Sequence, residues 1–249
     1  MPYIDICARW RPRIEEPDAI AERLARSFAG LANIDPLFRH WIRGNTRHRS
    51  SVPRVVSLPP KSDELYDWLT ENPRFESQEG YKQLVGYWIA AETPRGQSPF
   101  ANFWLSVRCS REVGWFDNRI GTTLLYQGDD LPNCITTVRY ALVTLAMAWD
   151  CEWAAAAPAD YSAVPPKTGT LPPRYASGWM VFLDKTRADR IRKAKDLIVE
   201  SLPDGAILLT AVVAPFFDRH SAAHRAAARR LQAGLAPLNR EAERRRGDS

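Results

Sequence analysis

Between Leu84 and Tyr126 the chain passes through three β-rich runs, LVGYWIAAET, FANFWLSVRC and IGTTLLYQ, separated by Pro94-Arg95-Gly96 and by Gly114-Trp115-Phe116-Asp117-Asn118. Both separators carry turn chemistry, so the runs predict an antiparallel meander. In the middle run Phe103, Leu105, Val107 and Cys109 alternate with Asn102, Ser106 and Arg108, which sets a dry face against a wet one. A sheet with one dry face must be covered, and the rest of the chain has to supply that cover.

Upstream, Tyr3 to Trp10 places Ile4, Ile6, Ala8 and Trp10 opposite Asp5 and Arg9, the period of a half-buried strand. After Pro17, the residues Ile20, Leu24, Phe28 and Leu31 recur at helical spacing, with Asp18 and Glu22 near the positive end of the dipole, and the helix ends near Gly30. Asp35-Pro36-Leu37-Phe38 then predicts a short helical turn capped by Asp35 and closed by Gly44, followed by a loop over residues 44–60. Ser62 to Asn72 presents Leu65, Trp68 and Leu69 on one side and its acids on the other, a surface helix.

Asn133 to Trp149 is apolar nearly all round and belongs inside. Residues 154–176, with alanines and five prolines, read as a long connector. Beyond it the pattern predicts a strand over 178–183, a basic amphipathic helix over 187–202, an apolar strand over 206–213 and a last helix over 220–235, with the basic end from 240 to 249 frayed. These late pieces need the early ones as partners. The expectation is a single α+β domain over residues 1–249, with an antiparallel or mixed sheet and helices mainly on one face. With 45% hydrophobic and 25% charged residues, disordered, collagen-like and coiled-coil readings are excluded.

The net charge of +5 is unevenly placed. From Arg219 to Ser249 eight arginines face Glu241, Glu243 and Asp248, so the rest of the chain is neutral. Arg39, Arg43, Arg47, Arg49 and Arg54 form a basic stretch, while Asp63, Glu64, Asp67, Glu71, Glu76 and Glu79 are opposed only by Arg74. Cys7, Cys109, Cys134 and Cys151 lie far apart with no C-x-x-C pair, which points to buried thiols in a reducing compartment. The first thirteen residues hold Asp5, Arg9, Arg11 and Arg13, so no signal-peptide core is present, and no apolar stretch reaches the ~20 residues of a membrane helix. The expected location is the cytoplasm.

Chemistry-bearing motifs give no reaction. His220 and His224 have helical metal-site spacing, but residue 221 is Ser and no third ligand is identifiable, so a solvated helix face is the better reading. Asp129-Asp130 reads as a polar turn before a helix rather than a cation site. Nucleophile elbows, Walker loops and dinucleotide fingerprints do not occur. The sequence therefore predicts no catalysis, no metal and no cofactor, and no small-molecule ligand. Nine tryptophans mostly belong to a core, with Trp115 beside Phe116 in its turn as the exception, either an interface anchor or a folded-back plug.

Asp35-Pro36-Leu37-Phe38 leading to Trp41, the apolar helix running into Trp149-Asp150-Cys151-Glu152-Trp153-Ala154, and Gly178-Trp179-Met180-Val181-Phe182-Leu183 together resemble the immunity-protein-52 family of bacterial polymorphic toxin systems. The resemblance spans residues 31–215. It implies a cytoplasmic antidote that binds a cognate toxin, typically a nuclease with a restriction-endonuclease-like fold and often one delivered by a type VI secretion system, and that has no catalysis of its own.

A nuclease groove that handles phosphates is electropositive, so an inhibitor gains from acids steered toward it. The acids Asp63, Glu64, Asp67, Glu71, Glu76 and Glu79 are the expected toxin-facing patch, with Trp115 and Phe116 as the aromatic anchor, and occlusion of the toxin's active site as the mode. The alternative reading is a nucleic-acid-binding accessory protein using the arginine-rich stretch 39–54 and the basic C-terminus. A second alternative is an enzyme whose catalytic groups are scattered in sequence and converge in a pocket.

Overall fold

The computed structural model describes residues 3–10, 13, 15–43, 55–56, 62–78, 81–93, 100–108, 118–126, 134–159, 161, 178–191 and 197–247. At the centre is strand β1 (Tyr3–Trp10), the half-buried strand anticipated from its alternation. The other strands are β2 (Trp41–Arg43), β3 (Val55–Val56), β4 (Pro73–Gln78), β5 (Tyr81–Glu92), β6 (Phe100–Arg108), β7 (Asn118–Leu125), β8 (Trp153–Pro158), β9 (Met180–Leu183), β10 (Ile198–Ser201) and β11 (Ile207–Thr210). Among the described residues they form one sheet in the order β10-β11-β9-β8-β1-β7-β6-β5-β2-β3, with β4 also paired to β5. Every pairing is antiparallel. The predicted meander is the β5-β6-β7 unit, in register from Ala90↔Trp104 to Trp104↔Gly121.

Helices α1 (Pro17–Ala32), α2 (Ser62–Thr70) and α3 (Cys134–Ala148) lie on one face of the sheet. Beneath them the sheet contributes Ile4, Ile6, Ala8 and Trp10 of β1, Ala154 and Ala156 of β8, and Phe103, Leu105 and Val107 of β6, all buried. The dry face read from β6 is therefore correct. Its wet face is only partly wet, because Ser106 is buried.

At the β8-β9-β11 end the opposite face is covered as well. Helices α4 (Lys185–Ile191), α5 (Ala222–Gly234) and α6 (Ala236–Gly247) close a second apolar cluster over Trp153, Val181, Leu183, Ile207 and Leu209. The cause is in β9, whose four residues MVFL are all buried: Met180 and Phe182 face the first core, Val181 and Leu183 the second. A strand apolar at every position needs cover on both sides. Helices mainly on one face thus holds for β1, β7, β6 and β5 but not for this end.

Other local expectations are corrected. The first residues of the supposed connector, 154–158, belong to strand β8 (Trp153–Pro158), which lies between β1 and β9. The basic helix is described over Lys185–Ile191, and residues 198–201 form the edge strand β10, held to α3 by the ion pair of Arg139 with Glu200. The turn at Pro36–Arg39 leads straight into β2 rather than ending at Gly44. The C-terminal residues continue as helix α6 to Gly247, tied to α4 by the ion pair of Arg190 with Glu241.

The segments that carried the family resemblance do architectural work. Asp35 caps its turn by accepting from Leu37 N at 2.9 Å, and its second oxygen accepts from Thr137 Oγ1 of α3 at 3.2 Å. Trp149 stacks on Trp10 with ring centroids 4.6 Å apart. Asp150 takes a left-handed φ of 46°, and Cys151 N donates back to Ala146 O at 2.9 Å, which closes α3 and turns the chain into β8. The freed carbonyls of Trp149 and Ala148 accept from Arg13 and Arg23 at 2.8 and 3.2 Å, cations placed at the negative end of the helix. Glu152, next along, pairs with the buried Arg187, which also binds Asp184 at 2.6 Å. Trp179 donates its indole N–H to Val212 O at 3.0 Å and so fixes β9 against the chain leaving β11.

Candidate interaction surfaces

The acidic patch expected from the sequence is built on α2. Leu65, Trp68 and Leu69 are buried, which leaves Asp63 and Asp67 exposed and Glu64 half-buried. Glu71 follows the helix and continues its turn, since its N–H donates to Asp67 O at 2.9 Å. Asp63, Asp67 and Glu71 recur every four residues and form one exposed stripe about 12 Å long. The amide of Asn72 closes the helix by donating to Trp68 O at 2.9 Å.

Arg43 modifies this picture. Its guanidinium lies over the Trp68 ring at 5.1 Å, donates to Glu64 O at 2.9 Å and reaches Glu71 at 3.9 Å. One arginine of the basic stretch is thus spent on holding α2, and Arg39 donates to Ala32 O at 3.4 Å. Glu76 belongs to β4, opposite Gln83, not to a loop as the sequence suggested. Glu79, Trp115 and Phe116 lie outside the described residues, as do Arg47, Arg49 and Arg54.

In the histidine pair, His224 is engaged in local hydrogen bonds. His224 turns its Nδ1 to accept from Asp218 N at 2.9 Å, while its own N–H caps onto Ser221 Oγ at 3.4 Å. Among the described residues no group of three metal-ligating side chains converges. The thiols of Cys134 and Cys151 are free and buried, and burial pushes Cys134 up to about 12 and Cys151 well above the ordinary thiol range. Cys134 sits beside Tyr126, whose phenol is also raised by burial. These groups are held neutral.

The sequence missed a second surface. On the face of β5, β6, β7 and β1 opposite α1 and α3, the registers align three rows of side chains across the sheet. Trp153, Arg9, Arg119, Ser106 and Trp88 form the first; Ala155, Cys7, Gly121, Trp104 and Ala90 the second; Ala157, Asp5, Thr123, Asn102 and Glu92 the third. Trp88 is 37% exposed. A shallow depression of about 470 Å³ lies over Ala90, bounded by Trp88, Trp104, Asn102, Glu92 and Arg119. Its shape depends on Gly121, where a Cβ would meet Trp104 Cζ2 at 2.5 Å and Ile6 O at 2.4 Å, so the indole lies across a backbone with no side chain. Thr123 donates to Asp5 at 2.7 Å. The signal was present: Trp104 sits between Asn102 and Ser106 on the wet parity of β6, a tryptophan where the alternation calls for a polar residue.

No helix among the described residues is long and apolar enough to cross a membrane. No family model and no curated protein matches the chain. Among solved structures the chain is similar to the Pseudomonas aeruginosa T6SS protein PA0821, with a TM-score of 0.54 at 8% identity over 94% of this chain and 76% of that one. At that identity the likeness is one of fold, and it relates this α+β architecture to a type VI secretion protein.

Proposed function

We propose that this chain is a cytoplasmic immunity protein that binds and neutralises a toxin delivered by a type VI secretion system, and that it acts by binding, with no catalysis of its own. The observation that carries the reading is the exposed stripe Asp63, Asp67 and Glu71 on α2, set on a fold shared with a type VI secretion protein. Asp63 and Asp67 at helical repeat repel one another, Arg43 meets Glu71 at 3.9 Å, and an electropositive partner relieves the remaining repulsion. A nuclease of the restriction-endonuclease-like class has such a groove where it takes its phosphates. Covering it with α2 excludes substrate by charge mimicry and steric block together, and the steering field of the acids speeds the encounter.

The test is co-expression, in a bacterial host, with the product of the adjacent toxin-like gene, scoring survival and then co-purification. Survival with a stable complex supports the immunity role. Death in cells that contain this protein in soluble form overturns it. If rescue occurs, loss of nucleic-acid cleavage on adding this protein to the purified toxin supports the nuclease target, and unchanged cleavage removes it.

A further inference from the structure

Arg9 and Arg119 stand directly opposite one another on β1 and β7. Like charges in that position disfavour the sheet unless something else is gained. Each guanidinium lies over an indole, Arg9 over Trp153 at 5.6 Å and Arg119 over Trp104 at 5.3 Å, and among the described residues neither has a carboxylate partner. The buried Nε of Arg9 makes no hydrogen bond. Arg119 is exposed. The two heads rest on indoles of different flanking strands, and the exposed Arg119 keeps donor capacity that a carboxylate fits.

The neighbouring rows say what accompanies that carboxylate. Arg119 itself borders the depression between Trp88 and Trp104, which lies over Ala90 and is suited to an apolar side chain. One step further come Asp5 and Glu92, a row of acids. The face runs from cationic through aromatic to anionic in steps of two residues. A single-stranded nucleic acid following this track would carry phosphates onto Asp5 and Glu92, which repel them. An extended polypeptide matches the order when an acid, an apolar residue and a base occupy alternate positions.

We propose that this sheet face is a second docking surface, for an extended segment of a partner protein that sets a carboxylate on Arg119 and an apolar side chain between Trp88 and Trp104. It lies across the sheet from α2 and is independent of the toxin-facing reading, so the chain engages two partners or two segments of one.

The test uses the full chain as target for a random dodecapeptide display library, in parallel with its Arg119→Glu and Asp63→Lys/Asp67→Lys variants, each checked for native circular dichroism. The expected result is enrichment of peptides with Asp or Glu two positions before an apolar residue. Such peptides bind Arg119→Glu at least about tenfold more weakly, as loss and reversal of a charge-assisted contact requires, and bind the α2 variant unchanged. No enrichment over Arg119→Glu, or enriched peptides without a carboxylate, overturns the proposal. So does a dT20 oligonucleotide that binds the parent and loses affinity in Arg119→Glu, which assigns the arginines to phosphate instead.

Discussion

The indole N–H of Trp149 donates to Ser27 Oγ at 2.9 Å, and that hydroxyl donates in turn to Arg23 O, also at 2.9 Å. Both side chains are fully buried, so this relay locks the end of α3 to the middle of α1. Ser27→Ala leaves the indole N–H buried without a partner and is expected to cost about 1–3 kcal/mol. Urea unfolding measures it, and a midpoint equal to the parent's contradicts the role.

Arg187 is 7% exposed and holds Glu152 and Asp184 where β8 begins and α4 starts. Arg187→Ala removes the buried guanidinium that pairs with both carboxylates, with an expected cost of about 3 kcal/mol. Arg187→Met with Glu152→Gln should recover part of the loss, because the desolvated charge is removed with its partner. Equal destabilisation of both variants argues that packing, not charge, sets the effect.

Gly121→Ala drives a methyl into Ile6 O and the Trp104 ring. The backbone contact cannot yield, so the strand shifts and the indole leaves its seat, at an expected cost of about 1–3 kcal/mol. Tryptophan fluorescence should shift to the red as Trp104 is exposed. A parent-like spectrum and stability would show that Trp104 does not depend on the absent side chain.

Burial pushes Cys134 up to about 12 in the folded chain, above the ordinary thiol value near 9. A raised acid is neutral in the fold, so its stabilisation is complete below pH 9 and is lost as pH rises from 9 through 12, where the unfolded thiol ionises first. The parent should lose stability over that window more steeply than Cys134→Ala. Parallel curves exclude the thiol as the titrating group.

The elements legible in sequence are those whose burial follows one period. β1, α1 and the β5-β6-β7 meander each have one dry side, and their patterns survive into the structure. β8 was illegible because its alanines have low strand preference and no alternation. It is a strand because β1 and β9 bracket it and because Ala154 and Ala156 let α3 approach the sheet closely. In sequence β10 reads as the end of a helix, because the basic residues before it fall at helical spacing. α6 carries little apolar pattern, and its helix is supported by Leu238 packing into the second core and by Glu241 reaching Arg190. The exposed acids of α2 were readable from Leu65, Trp68 and Leu69 on its other side. The arginine pair was not, since Arg9 and Arg119 are 110 positions apart and only the β1-β7 register brings them together.

The most direct measurement of the central claim is the association rate of the purified chain with its cognate toxin at low and high salt, for the parent and for Asp63→Lys/Asp67→Lys. These side chains are exposed, so the folded state should be unchanged within about 0.5 kcal/mol. The account predicts fast, salt-sensitive association for the parent and at least about tenfold slower association for the reversed variant, with rescue of the host lost. Equal rates and equal rescue would contradict it and move the toxin interface away from α2.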